Sequence, residues 1–418
     1  MHILFLSENF VPETNAAATR VYERAVYWVR WGHQVTVLTT APNFPQGKLF
    51  DGYRNRWFQR ETVDGIEVVR VKSFIAANEG IARRTLDFIS FMASAVVAGL
   101  FLRRPDVVVA TSPQFFTAIG GWALAALRRL PFVFELGDLW PRSILAVGAM
   151  PPGPIIALLE RVELFLYRRA SSVIALTQAF KDNLVGRGIA AEKITVIRNG
   201  VDLQRYAPRA RDLSRAASLG IVDKFIVGYV GTHGLAHDLG NVLAAAEQLR
   251  DGRPIAFLLV GAGAEREKLV AEARRRALAN VIFVPMQPKD AMASIWSLCD
   301  VALVHLKNSP AFSEVIPSKM FEAMAMGLPI LLVSPAGEAS RILAEDGAGI
   351  WIPAGDPAAL VDAVGRLFEQ VALRRQLTEC GLVAATHHTR ERQAELFIAA
   401  LEKVVAGIVG AGDSARHA

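Results

Sequence analysis

The feature that most constrains this chain is the alternation of short, continuous runs of β-branched and aliphatic residues with stretches of helical spacing, repeated in both halves. In the first half the runs are Ile3–Ser7, Gln34–Leu38, Ile66–Val71, Val107–Ala110, Phe132–Leu136, Val173–Leu176 and Ile194–Ile197. In the second they are Phe225–Val230, Ile255–Val260, Val281–Val284, Val301–His305, Ile330–Val333 and Gly349–Ile352. Continuous apolar runs are what strands of a parallel sheet need, because helices cover both of their faces. The pattern predicts a doubly wound α/β fold built twice, as two Rossmann-like domains. A polar stretch from Asn199 to Asp212, with Asn-Gly and Pro208 as turn signals, divides them. The length of 418 residues agrees with two domains of about 200 each. The expected organisation is therefore a first domain over 1–198, a second over 199–385, a helix over 386–405 packing back on the first, and a flexible small-residue tail over 406–418. Ligands of such sheets bind beyond the carboxyl ends of the strands, so the chemistry is expected where the two sets of loops converge on a cleft.

A hydrophobic content of 52% excludes disorder. Charge is uneven: residues 1–200 hold 23 Lys+Arg against 16 Asp+Glu, a balance of +7, and the rest hold 23 against 24, or −1. Basic pairs at Arg83-Arg84, Arg103-Arg104, Arg128-Arg129 and Arg168-Arg169 flank apolar helical stretches, with no run of interleaved aromatics. That arrangement suits an anionic membrane surface or an anionic lipid-linked substrate better than nucleic acid, the other reading being ordinary solvated helix ends. The two cysteines, Cys299 and Cys380, are too sparse for a disulfide framework or a metal site and fit a reducing cytosol. The chain opens directly on a strand, and no signal peptide is expected. The most apolar window, Leu86–Leu102, is short for a bilayer at about 25 Å and includes Asp87, so a buried or half-buried helix of the first domain is expected, not a span, the other reading being a helix that also rests on a membrane face.

One segment concentrates candidate chemistry. In Ser313–Pro329, Glu314 and Glu322 straddle a helix start: Ile316, before a proline, is held extended, Pro317 suits a first helical position, and Gly327 with Pro329 ends the helix. Free N–H groups at such a start, with a carboxylate on either side to accept from hydroxyls, suit a sugar joined to a diphosphate.

With these residues in place the chain resembles a GT-B-fold, retaining nucleotide-sugar glycosyltransferase of family 4. Glu314 and Glu322 match that family's E-x7-E motif, and Gly32-His33-Gln34-Val35-Thr36-Val37 its second strand. Asp106-Val107-Val108, Asn199-Gly200-Val201-Asp202 and Gly228-Tyr229-Val230-Gly231 match in order. Pro42-Asn43-Phe44-Pro45 and Phe134-Glu135-Leu136-Gly137-Asp138-Leu139-Trp140-Pro141 resemble more narrowly the WcaI- and WbuB-like branch that acts on bacterial surface polysaccharides such as colanic acid and O-antigen. The resemblance spans residues 1–405. It implies that Glu322 accepts from the ribose hydroxyls and that Glu314 contacts the donor sugar.

Two family features are missing. The loop after the first strand of the second half is Thr232-His233-Gly234-Leu235-Ala236-His237, where many members carry an arginine and a lysine. Gly231 and Gly234 still allow backbone approach to phosphate, with Lys319, Ser318, His233, Arg198 and Asn199 as further donor-side candidates. Gly137 replaces the histidine that many relatives place before Asp138. Asp138 is then the candidate for orienting or deprotonating the acceptor, with a helix N-cap as its other reading. Glu135, Trp140, Asn15, Ala16 and Arg20 are candidates on the acceptor or phosphate side, Asn15 and Ala16 standing near where most members have two glycines. No D-x-D signature or His/Cys cluster is present, so no metal or other cofactor is expected. Gly261-Ala262-Gly263 lacks the third glycine of a dinucleotide fingerprint.

The expected activity is transfer of a sugar, of fucose type or an N-acetylated deoxysugar, from a UDP- or GDP-sugar to a polyprenyl-diphosphate-linked glycan. The expected location is the cytoplasmic face of the inner membrane. A nucleotide-sugar 2-epimerase, or a catalytically silent nucleotide-sugar-binding subunit, are the alternatives on the same fold.

Overall fold

The computed structural model describes residues 1–44, 46–76, 81–112, 114–142, 145, 151 and 153–414. Pro45 of the Pro42–Pro45 motif and the last four residues of the expected tail lie outside them. The chain divides into two compact units, Met1–Arg198 with Arg390–Ala418, and Asn199–Thr389.

The first unit is built on an eight-stranded sheet of β1 (His2–Leu6), β2 (Gln34–Thr40), β3 (Phe58–Val63), β4 (Ile66–Val71), β5 (Val107–Thr111), β6 (Phe132–Leu136), β7 (Ser172–Ala175) and β8 (Ile194–Val196), in the order β3-β4-β2-β1-β5-β6-β7-β8. Only β3 runs antiparallel, paired with β4. This strand was not expected, because Phe58-Gln59-Arg60-Glu61-Thr62-Val63 alternates at an exposed sheet edge and lacks the continuous apolar run used to find the others. Its signal is the Asp64-Gly65 pair, whose φ of 49° and 80° are what a two-residue hairpin turn requires. The strand order reverses between β1 and β5, and beyond their carboxyl ends the Gln114 Nε2 donates to the Asn9 Oδ1 at 2.9 Å.

The helix expected at Leu86–Leu102 runs instead over Ile81–Phe101, 21 residues, because Arg83 and Arg84 fit its first turns. At about 32 Å it is long and apolar enough to cross a bilayer by length and composition, with Arg83–Phe101 averaging a hydropathy of 1.4. In this fold one side packs Phe91, Ala95 and Ala98 into the first core. Leu86, Ile89, Val97, Leu100 and Phe101 point outward.

The final helix, Arg390–Ser414, belongs to the first unit. It starts at Arg390 and not at 386, because the preceding helix, Val371–His387, carries on that far. It also continues through most of the stretch expected to be a flexible tail, since no proline interrupts it. Phe397 packs on Trp28 at 5.2 Å and on Phe5 at 6.5 Å, and the Trp28 Nε1 donates to the Ala394 carbonyl at 3.0 Å.

The second unit holds a six-stranded, all-parallel sheet of β9 (Phe225–Val230), β10 (Ile255–Val260), β11 (Val281–Val284), β12 (Val301–His305), β13 (Ile330–Ser334) and β14 (Gly349–Pro353), in the order β11-β10-β9-β12-β13-β14. Here the order reverses between β9 and β12. The loop Gly231–Gly234 leaves β9 at that point, and His305 is the last residue of β12.

Candidate active site

At the β9–β12 reversal, three elements bring together a polar cluster. Lys319 opens the helix Lys319–Ala325 and lays its Nζ 3.9 Å from the centroid of the Tyr229 ring. The ammonium also packs against Gly231, whose missing Cβ leaves room for it at a φ of 145°. The Tyr229 hydroxyl donates to the Thr232 carbonyl at 2.7 Å and so fixes the loop. Gly261 and Gly263 let the next loop close on this one: a Cβ on either would collide with the carbonyl of Gly231 or of His233. These glycines thus serve backbone packing.

Three histidines surround the lysine. The His237 Nδ1 donates to the His305 carbonyl at 3.3 Å, and the His305 Nε2 pairs with the Asn241 Nδ2 at 2.9 Å. Burial, reinforced by nearby cations that include Lys319, brings His233 and His237 down to about 4. Burial first, then His237 and Lys319, bring His305 to the same range. At neutral pH the histidines are uncharged, so His233, one of the donor-side candidates, brings no positive charge to a phosphate; it is fully buried with neither ring nitrogen hydrogen-bonded among the described residues. Burial also lowers Lys319, to about 7, against the opposing pull of Glu322. The glycine loop that lacks the arginine–lysine pair is thus reached by one lysine from another element.

Glu322 sits one turn into the helix that Lys319 opens, and the Trp296 Nε1 donates to its Oε2 at 3.2 Å. Pro317 does not occupy the first helical position. It precedes Ser318, which has helical φ and ψ of −59° and −26° and makes no side-chain cap. Glu314 lies, as expected, in the preceding loop, half-buried, in a turn after Pro310–Phe312. That loop is pinned by Glu338 N donating to the Ser313 carbonyl at 2.8 Å, a contact possible only because Gly337 carries no side chain there. Asn199 opens the second unit, and Arg198 closes the first with its carbonyl accepting from Gln393.

In the first unit, Asp138 follows β6. The Ser112 Oγ accepts from Gly137 N at 2.9 Å, which holds the Gly137–Asp138 turn against the end of β5. A Cβ at Gly137 would meet the Ser112 carbonyl and the Arg20 guanidinium, so the residue before Asp138 is confined to glycine by packing. Trp140 stacks on Phe115 at 4.5 Å.

Arg20 and Glu135 are not ligand-facing residues. Glu135 is fully buried, paired with Arg20 Nε at 3.1 Å and with Arg24, while the Arg20 Nη2 donates to the Thr111 Oγ1 at 3.2 Å. Burial alone would raise the Glu135 carboxyl, but the two guanidinium groups outweigh it and hold it at about 2. Asn15 caps the helix Ala16–Arg30, its Oδ1 accepting from Ala18 N at 3.0 Å. The exposed Ala16 is the first residue of that helix.

Tyr229, Trp296, Asn241, His305 and Gly337 escaped the sequence reading. Only Tyr229 carried a sequence signal, as part of the Gly228–Gly231 match. Three buried acids of the first unit, Glu8, Glu13 and Asp87, were also missed as a group.

Two doubly wound sheets, with an E-x7-E segment and a glycine loop met by Lys319 at the strand-order reversal of the second, define a glycosyltransferase of the GT-B fold. The chain belongs to family 4 of these enzymes: residues 15–200 match the glycosyl transferase 4-like domain and residues 211–382 the glycosyl transferases group 1 domain. It is 28% identical over 335 residues to the putative colanic acid biosynthesis glycosyl transferase WcaI of Escherichia coli K12, covering 78% of this chain and 82% of that one. The fold resembles sucrose-phosphate synthase from Thermosynechococcus elongatus, with a TM-score of 0.78 at 19% identity over 97% of this chain and 99% of the other. It also resembles Anabaena HepE in complex with UDP-glucose, with a TM-score of 0.72 at 19% identity, covering 96% and 100%.

Proposed function

We propose that this glycosyltransferase moves a sugar from a nucleoside diphosphate sugar to a polyprenyl-diphosphate-linked glycan, with retention of anomeric configuration, during surface polysaccharide assembly. The observation that carries the donor side is the Lys319 ammonium packed between Tyr229 and Gly231 at the strand-order reversal, where doubly wound sheets take their ligands. A diphosphate docking there is met by Lys319, by the backbone of Gly231, Thr232 and Gly234, and by the helix start at Ser318. Glu322, oriented by Trp296, accepts from the ribose hydroxyls, and Glu314 from the donor sugar. The binding of UDP-glucose by the structurally similar HepE supports a nucleotide-sugar donor.

Charge develops on the leaving diphosphate, so Lys319 and the backbone N–H groups lower the barrier. Asp138 orients or deprotonates the acceptor hydroxyl. No side chain acts as covalent nucleophile, and attack comes from the face that the nucleotide leaves. No divalent metal is required. The likeness to WcaI supports a role in surface polysaccharide assembly. The outward Leu86, Ile89, Val97, Leu100 and Phe101, flanked by Arg83, Arg84, Arg103 and Arg104, favour peripheral attachment to the anionic cytoplasmic face of the inner membrane.

The test is to incubate the purified chain with a panel of UDP- and GDP-sugars, with and without membrane extract and with EDTA, and to follow nucleotide release. Extract-dependent release that survives EDTA supports the reading. Conversion of donor without any acceptor identifies an epimerase, and binding without turnover a silent subunit.

A further inference from the structure

The Gly137–Asp138 turn rests on a buried network that starts on the helix Ala16–Arg30. One guanidinium suffices to balance the Glu135 charge, and Arg24, 2% exposed, already pairs with it. Arg20 adds a second buried cation through its Nε at 3.1 Å, and taking a further charge out of water is costly. What Arg20 brings besides charge is its Nη2. That nitrogen donates to the Thr111 Oγ1 at 3.2 Å and lies where a side chain on residue 137 would stand, 2.9 Å from the position of a Cβ on Gly137.

From Thr111 the network runs on to the turn. Thr111 faces Glu135 in the β5–β6 register and is fully buried, and its hydroxyl donates to the Ser112 carbonyl at 3.1 Å. Ser112 then grips the turn itself. Its N donates to the Glu135 carbonyl at 2.9 Å, and its Oγ accepts from Gly137 N at 2.9 Å and, at a longer 3.4 Å, from Asp138 N. Arg20, Thr111, Ser112 and Glu135 are all buried, whereas Asp138, at the end of the network, is half-buried. A reacting group displaced by about 1 Å can lose roughly 100-fold in rate, so a carboxylate whose aim matters needs a support of this kind.

We propose that Arg20 and Ser112 are positioning residues for Asp138. Arg20, through Thr111, fixes Ser112, and Ser112 fixes the direction in which the turn presents the carboxylate. The inference rests on the reading of Asp138 as the group that orients or deprotonates the acceptor.

The experiment compares Arg20→Lys, Thr111→Val, Thr111→Ser, Ser112→Ala and Asp138→Asn in the full chain. Nucleotide release is followed with membrane extract and, in turn, UDP-glucose, UDP-N-acetylglucosamine and GDP-fucose; UDP and GDP binding is read by calorimetry and folding by thermal melts. Arg20→Lys keeps a cation beside Glu135 but loses the fork that reaches Thr111, and Thr111→Val keeps the shape but loses the hydroxyl. These two and Ser112→Ala are expected to lower kcat by about tenfold or more, with donor KM and nucleotide affinity within about twofold of the parent. Thr111→Ser, which restores the hydroxyl, recovers kcat to within about threefold. A network that serves folding alone would lower the melting temperature and leave kcat per folded molecule unchanged, and that result overturns the inference. So does a fall in nucleotide affinity that matches the fall in kcat, or a Thr111→Ser variant as slow as Thr111→Val. If Arg20→Lys or Thr111→Val fails to fold, Ser112→Ala decides. Should Asp138→Asn turn over like the parent, or the parent turn over no donor, the Asp138 reading falls and takes this inference with it. A slow Asp138→Asn beside parent-like Arg20→Lys and Ser112→Ala removes the positioning role alone.

Discussion

The Nζ of Lys319 lies 3.9 Å from the centre of the Tyr229 ring, so a helix start and the end of β9 meet through a cation and an aromatic face. Burial brings that lysine to its titration point, at about 7, so the fraction present as neutral amine takes up a proton when a diphosphate arrives.

Lys319→Ala should weaken UDP or GDP binding by roughly 10- to 100-fold in calorimetry, the range of a charge-assisted contact. Binding favours the charged lysine, so affinity falls as pH rises above about 7, with net proton uptake visible in buffers of different ionisation enthalpy. His233 and His237 stay neutral across that range, and Glu322 is the acid facing the lysine. For stability the sign is opposite. Between about 7 and 10.5 the unfolded chain binds more protons at this site than the folded one, so its contribution to stability rises with pH. A flat affinity profile from pH 6 to 9 would contradict this.

Glu322→Ala should raise the nucleotide dissociation constant by about tenfold or more, through loss of the ribose contacts. Trp296→Phe leaves the carboxylate in place but removes its Nε1 donor, so a smaller loss, of about two- to fivefold, is expected in the same titration.

Breaking the buried pair at Glu135 is a question of folding. Glu135→Ala strands Arg20 and Arg24 without their counterion, and urea denaturation should show a loss of about 3–5 kcal/mol. Because the folded-state carboxyl lies at about 2 against an ordinary 4.5, its contribution is complete above pH 4.5 and is lost as pH falls toward 2.

Asp138→Asn should lower kcat by about 100-fold while leaving nucleotide affinity intact, the signature of lost proton transfer to or from the acceptor. Near-normal turnover in this variant would remove Asp138 from the chemistry.

Gly337→Ala pushes a methyl group into the Ser313 carbonyl and so shifts the Glu314 loop. Steady-state kinetics should show a fall in kcat/KM for the donor sugar with little change in affinity for free UDP or GDP.

The strands of both sheets were legible because continuous apolar runs have few other uses, and the E-x7-E segment because proline and glycine bracket it. β3 was not, since an exposed edge strand carries charges that hide it. The chemistry was harder to read where position depends on long-range packing. Arg20 and Glu135 are far apart in sequence and become partners only once β6 lies over the helix Ala16–Arg30. Lys319 was recognisable as a cation near the helix start, but nothing local says that it reaches Gly231. Glu8, after β1, and Asp87, on the helix Ile81–Phe101, act on one another only once that helix packs on the sheet, and no spacing announces them.

The return of the helix Arg390–Ser414 to the first unit has a consequence for how the protein is made. Trp28 and Phe5 sit in a core whose remaining wall, Phe397 and Leu401, leaves the ribosome only after the whole second unit. The first unit, though begun before the second, stays open on one side until Arg390–Ser414 has been made, and a nascent chain stalled short of Arg390 would display that unfilled aromatic face to chaperones.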